Sequence, residues 1–144
     1  MEQKEKPGAG VAVILINSEN KVLLGQRKNI RGDGLYQFPG GHLEFCEDFP
    51  QAVSRELREE VGDLEVEIID RDFPFATVSE HYDEKKHYVV SFVRVRYISG
   101  KIQNKEPDKN NGWQWHPWTS LPQPLFSGIQ YLVNKGRDIS EEPK

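Results

Sequence analysis

The chain has 144 residues, 29% of them charged and 36% hydrophobic, with a net charge of −4. That length predicts one compact domain spanning 1–144, and an acidic balance with no basic block argues against a non-specific nucleic-acid binder. A single cysteine, Cys46, excludes an internal disulfide; no apolar run has membrane-spanning length and no signal-peptide pattern opens the chain, so a cytoplasmic setting is expected.

Residues 1–7 and 140–144 are polar and read as mobile ends. The apolar runs 10–16 and 21–26 flank Asn17, Ser18, Glu19 and Asn20, which predicts a β-hairpin. Residues 28–34, with two glycines and several charges, read as a loop. Residues 35–38 and 42–45 read as short extended pieces broken by Pro39, Gly40 and Gly41.

A helix is predicted over 49–61. Asp48 is placed to cap it, Pro50 lies in its first turn, and Gln51 supplies the partner of a capping box. Phe49, Val53, Leu57 and Val61 recur every fourth residue as one apolar stripe, and Gly62 suits the position just past the end. Strands are predicted at 64–70, 75–79 and 88–98, where β-branched and aromatic residues concentrate. A polar loop over 99–112 leads to a short strand at 113–116. A second helix over 124–134 carries Leu125, Ile129 and Leu132 on one face. This irregular alternation predicts an α/β (α+β) fold, a mixed β-sheet with helices on both faces.

The first helix carries the functional signal. Glu56, Glu59 and Glu60 crowd one short stretch, and like charges three or four apart on a helix repel. A divalent cation reverses the sign of that interaction. With about 100° per residue, Glu60 lies about 60° and Glu56 about 100° to the same side of Leu57. These two are therefore one turn apart on a single flank, able to share an ion. Glu59 falls roughly 160° away on the far side, nearer Arg55 and Arg58, which project away from the Glu56/Glu60 edge. Carboxylate oxygens suit Mg²⁺, with Mn²⁺ as a substitute. His42, His81, His87 and His116 are scattered and lack zinc spacing. The bland alternative, a solvated charge-laced helix face, is weakened by the specificity of the flanking pattern.

That pattern is Gly41, Glu47, Arg55, Glu56, Leu57, Glu59, Glu60 and Gly62 at fixed spacing. It resembles the signature box of the Nudix hydrolases, which cleave nucleoside diphosphates linked to another moiety. Asp63 departs from the aliphatic residue usual there, a packing position. Leu24-Gly25-Gln26-Arg27, the run from Gln37 to Phe45, His87-Tyr88-Val89-Val90, Glu106-Pro107-Asp108 and Trp113-Gln114-Trp115 are similar to a MutT-like nucleotide pyrophosphatase branch. In that branch a glycine usually stands where this chain has Cys46.

The resemblance implies a Nudix-type α/β/α sandwich with the loop-helix-loop signature. It implies that Glu56, Glu59, Glu60 and the Gly40 carbonyl hold Mg²⁺, with Glu47 assisting on the metal or its waters. A further acidic ligand often comes from a loop before the last strand; Glu106 and Asp108 both qualify. Glu56 is the candidate general base, with Glu59 and Glu47 in the catalytic cluster. Arg27 is placed to clamp a phosphate, His42 to donate to one, Gln37 to read a base edge, and Phe126 or Tyr36 to stack on a base. The tryptophans read mainly as packing, and Cys46 as incidental. The partner expected is a small-molecule nucleotide, not a membrane or a specific nucleic acid, and relatives often form homodimers.

Three readings follow. The first is Mg²⁺-dependent hydrolysis of a pyrophosphate bond in a nucleoside triphosphate or related diphosphate derivative. The second keeps the chemistry with ADP-ribose, NADH or dihydroneopterin triphosphate as substrate. The third is a Nudix-fold nucleotide-binding module without turnover, which the presence of all the box glutamates disfavours.

Overall fold

The computed structural model describes residues 5–83 and 85–144. Part of the predicted amino-terminal mobile end, residues 1–4, lies outside them. The elements in chain order are β1 (Gly8–Ile16), β2 (Lys21–Arg27), β3 (Tyr36–Gln37), β4 (Gly40–His42), α1 (Phe49–Glu60), β5 (Glu65–Ile68), β6 (Ala76–Asp83), β7 (Lys86–Ser99), β8 (Asn110–Pro117) and α2 (Ser127–Asn134).

β1 is the hub of a mixed sheet ordered β3-β2-β1-β7-β5, with β4 also on β1, β6 on β7 and β8 on β2. β1 runs parallel to β7 along the whole of β1; the other pairs are antiparallel. Burial on both faces explains why β1 reads as an uninterrupted apolar run. Its side chains alternate between two cores. Val11, Val13 and Leu15 meet Val53, Leu57 and Val61 of the α1 side. Ile14 and Ile16 meet Phe92, Ile129 and Leu132 of the α2 side. The α/β/α sandwich expected from the sequence is the observed fold. Among the described residues no helix is long and apolar enough to cross a membrane.

The β1–β2 hairpin forms where predicted: Asn17 Oδ1 accepts from the Glu19 and Lys21 amides, each at 3.0 Å, closing the turn. The extended piece expected at 42–45 sits earlier, at Gly40–His42. Gly40 and Gly41 pair with Ala12 and Val11, and the chain then turns as the Glu47 amide reaches the Glu44 carbonyl. The last strand starts inside the predicted loop, because Asn110 pairs with Arg27. The second helix starts later than 124. The Tyr36 amide donates to the Pro124 carbonyl and the Phe126 amide to the Tyr36 carbonyl, so this segment is tied to β3 in extended form. At the other end, buried Arg94 pairs with Asp70 at 2.9 Å and donates to the Ile139 and Glu141 carbonyls, which anchors the tail there.

Candidate active site

The capping box predicted for α1 is present. Asp48 Oδ1 accepts from the Gln51 amide at 2.8 Å, and Gln51 Oε1 accepts from the Asp48 amide at 2.9 Å. Gly62 follows the cap residue Val61 with φ 134°, a conformation that favours glycine. The helix start and stop are therefore fixed locally, and with them the rotational setting of the glutamates.

Glu56 and Glu60 share one flank of the helix, as the helical geometry predicts, and that flank faces β4. Glu60 Oε2 accepts from the Gly40 amide at 2.8 Å. Glu56 lies against Gly41: a Cβ there would fall 2.6 Å from Glu56 Oε1. Gly40 is required for another reason, since a Cβ on it would meet the Val11 carbonyl at 2.2 Å. The paired glycines are thus the slot into which the carboxylate row fits.

Arg55 corrects the helical-wheel reading. It does not project away from the row. Its Nε and Nη2 grip Glu47 at 2.6 and 2.9 Å, its Nη1 reaches Glu56 at 2.9 Å and Glu59 at 3.2 Å, and Nη2 also donates to the His42 carbonyl at 2.9 Å. A wheel places Cα atoms, whereas helical side chains lean toward the amino terminus and arginine is long enough to reach the preceding loop. Glu47 is consequently a partner of Arg55, and this pairing lowers its pKa to about 2.

The electrostatics of the row differ from that clamp. Burial, followed by the charge of Glu56, pushes the Glu60 carboxyl up to about 9. Burial also raises Glu56, against the opposing pull of Arg55, and the charges of Glu59 and Glu106 act in the same direction as burial. Glu106 therefore faces the row, and it lines one cavity with Glu56, Glu59 and Glu60. Asp108 is not part of that lining; its backbone carbonyl accepts from Asn29 at 3.2 Å. Among the described residues no three Asp, Glu, His or Cys groups are grouped closely enough to hold an ion as they stand. The donor set fits one nonetheless: four carboxylates with hard oxygens line one cavity wall, and burial raises the proton affinity of two of them.

A second cavity of about 310 Å³ adjoins this wall. Arg27, Gln37, Gly40, Gly41 and His42 line both. Arg27 is held from three sides: Nη1 donates to Gln37 Oε1, Nε to the Arg31 carbonyl, and its guanidinium lies 4.9 Å from the Phe126 ring centre. The sequence-predicted substrate residues Arg27, Gln37, His42 and Phe126 thus come together. Gln37, read from sequence as a base contact, spends its side-chain oxygen on Arg27. His42 stacks on Tyr88 at 5.3 Å. Tyr36 is elsewhere, edge-on to His116.

The tryptophans pack. Trp113 Nε1 donates to the Glu60 carbonyl, Trp115 meets Tyr97, and Trp118 Nε1 donates to the Arg137 carbonyl. Cys46 is exposed with φ 65°, the left-handed region suited to the glycine usual in similar sequences. Sequence reasoning missed Glu80, Lys86 and Tyr88, which line the second cavity. The available signal was in β6: Val78 and Glu80 are both buried between exposed neighbours, so an acid occupies an inward strand position.

A loop-helix row of glutamates beside an arginine-lined cleft on this sandwich defines a hydrolase of phosphate anhydrides. The comparisons agree. The NUDIX domain family matches residues 6–134, and the chain belongs to that family. It is 42% identical over 118 residues to an RNA pyrophosphohydrolase of Francisella tularensis, covering 76% of this chain and 74% of that protein. It superposes on a MutT Nudix hydrolase from Burkholderia pseudomallei with a TM-score of 0.77 at 26% identity, covering 92% of this chain and all of that one. An ADP-ribose pyrophosphatase from Streptococcus suis shares the fold, with a TM-score of 0.65 at 22% identity and coverage of 96% and 98%.

Proposed function

We propose that this enzyme is a Mg²⁺-dependent pyrophosphohydrolase of nucleoside triphosphates or related diphosphate derivatives. One observation carries this reading: Glu56 and Glu60 are seated against Gly40 and Gly41, and the cavity they face opens beside Arg27.

Glu56, Glu60, Glu59, Glu106 and the Gly40 carbonyl would hold the ion. When bound, Mg²⁺ neutralises charge on the pyrophosphate and makes water easier to deprotonate. Arg27, fixed by Gln37 and Phe126, binds and orients a phosphate through charge-assisted hydrogen bonds. Water attacks phosphorus in line, the bond to the bridging oxygen breaks, and the leaving phosphate departs with that oxygen. Glu56 takes the proton from the attacking water, a role that its burial-raised proton affinity supports. Arg55 and Glu47 position Glu56 and supply countercharge behind it. The His42 imidazole, stacked on Tyr88, donates to a second phosphate.

The Francisella relatives support a second reading, the triphosphate at an RNA 5′ end, with the same chemistry at the same residues. ADP-ribose, NADH and dihydroneopterin triphosphate complete the panel of candidate substrates. A lone exposed cysteine supports a reducing, cytoplasmic setting. A homodimer rests on resemblance alone and is read by light scattering. The decisive experiment is hydrolysis of this panel with Mg²⁺, products being resolved by chromatography. The reading requires Glu60→Gln to abolish turnover while the protein stays folded; full activity in that variant removes the assigned role.

A further inference from the structure

His81 and His87 show no zinc spacing in the sequence, yet the fold sets them face to face. They are direct partners across the β6–β7 ladder. Their rings stack with centres 4.1 Å apart and planes 16° from parallel. The same nitrogen of each ring is aimed at one atom: Ser79 Oγ lies 2.7 Å from His87 Nε2 and 3.4 Å from His81 Nε2. Ser79 stands two residues before His81, so strand alternation puts both on one face of β6.

That face is turned away from the substrate. Ser79 and His81 are exposed, whereas Val78 and Glu80 between and beside them are buried. On β7, His87 lies between Lys86 and Tyr88, which line the cavity beyond Arg27. Neither histidine lines that cavity or the glutamate cavity. The pair is therefore separate from the machinery assigned to hydrolysis.

The chemistry of the pair also differs from that of the carboxylate row. Neutral imidazole suits Zn²⁺, Cu²⁺ and Ni²⁺, whereas carboxylate and water oxygens suit Mg²⁺. Bonds of about 2.1 Å to a tetrahedral Zn²⁺ place two ligand nitrogens roughly 3.4 Å apart. Ring centres at 4.1 Å are close to that spacing, and exposed His81 can tilt toward His87. The ladder already holds both side chains in register, so binding has little freedom left to remove.

We propose that His81 and His87 form a second metal site, one that takes a divalent transition ion through the two Nε2 atoms. Water completes the coordination, and the Ser79 hydroxyl hydrogen-bonds to one of those waters. The bound ion ties β6 to β7 beside their turn, and the other face of the same two strands supplies Glu80, Lys86 and Tyr88 to the cavity wall.

The test uses the full chain in excess Mg²⁺, which occupies the carboxylate row, with Cu²⁺ and Zn²⁺ as probes. Electron paramagnetic resonance of bound Cu²⁺ counts the ligating nitrogens, and calorimetry with Zn²⁺ gives affinity. The wild type should show two imidazole nitrogens on Cu²⁺ and one saturable Zn²⁺ site. His81→Gln and His87→Gln should each leave at most one nitrogen and weaken Zn²⁺ roughly tenfold or more, since chelation by two linked groups is lost. Zn²⁺ should raise the wild-type Tm and leave that of either variant unchanged. Glu60→Gln should bind Zn²⁺ at this site as the wild type does. One exposed variant suffices if the other fails to fold. Equal Zn²⁺ affinity in the wild type and the histidine variants, or a Cu²⁺ spectrum without two nitrogens, overturns the proposal and leaves a stacked surface pair. Zn²⁺ binding that disappears in Glu60→Gln overturns it too, because the ion then sits on the carboxylates.

Discussion

The Glu60 carboxylate and the Gly40 amide are joined by a 2.8 Å hydrogen bond across the helix–strand boundary. That single bond fixes the half-buried carboxylate against the strand turn whose carbonyl is assigned to the same ion. It offsets only part of the cost of burying Glu60, whose carboxyl is pushed up to about 9.

The first prediction concerns stability without metal. The unfolded Glu60 carboxyl titrates near 4.5, the folded one near 9. Between those values the folded chain retains a proton that the unfolded chain has released, so stability falls as pH rises through the window. Thermal melts in chelator should show Tm declining from pH 5 to pH 9. Added Mg²⁺ should raise Tm most at the alkaline end, where the carboxylate it binds is otherwise disfavoured. In chelator at pH 8, Glu60→Gln should melt above the wild type, since its amide oxygen can still accept from Gly40 without a charge.

Arg55 organises the acidic cluster, so its replacement should cost both fold and turnover. Arg55→Lys cannot reproduce the two-point grip on Glu47 and loses charged hydrogen bonds with about 15% of the side chain exposed. A loss of about 2 kcal/mol is expected, read as a Tm drop of roughly 6–8 °C. Mg²⁺-dependent kcat should fall as well, because Glu56 loses the neighbour that holds it.

Gly41→Ala should act on chemistry more than on stability. The new Cβ would sit 2.6 Å from Glu56 Oε1, the far end of a side chain that can rotate. Displacing that oxygen by about an ångström should lower kcat roughly 100-fold while urea midpoints change little. Unchanged kcat would show that the Glu56 oxygen has no fixed role.

Cys46→Gly should stabilise the protein by about 0.5–1 kcal/mol, the relief of a left-handed backbone at φ 65° less the entropy of an added glycine. Turnover should be unaffected, since Cys46 is exposed and lines neither cavity.

Much of this architecture was legible because its signals are local. Asp48, Gln51 and Gly62 delimit α1 by capping chemistry alone, and the turn residues from Asn17 to Asn20 mark the first hairpin. The spacing of Glu56 and Glu60 gave their shared flank. What the sequence concealed depends on distant partners. The start of β8 follows from the pairing of Asn110 with Arg27, and the late start of α2 from the bonds of Pro124 and Phe126 to Tyr36. The orientation of Arg55 was missed because a wheel carries no side-chain length. Glu106 and Asp108 were indistinguishable until the loop was folded, when only Glu106 joined the carboxylate wall.

The central claim, that Glu56 and Glu60 jointly bind the ion that makes the anhydride reactive, is tested most directly by Mn²⁺ titration followed by electron paramagnetic resonance, with a non-hydrolysable nucleotide present. The account requires saturable Mn²⁺ binding in the wild type, competed by Mg²⁺, that is lost or weakened at least tenfold in folded Glu60→Gln. Equal Mn²⁺ affinity in the two proteins would contradict it.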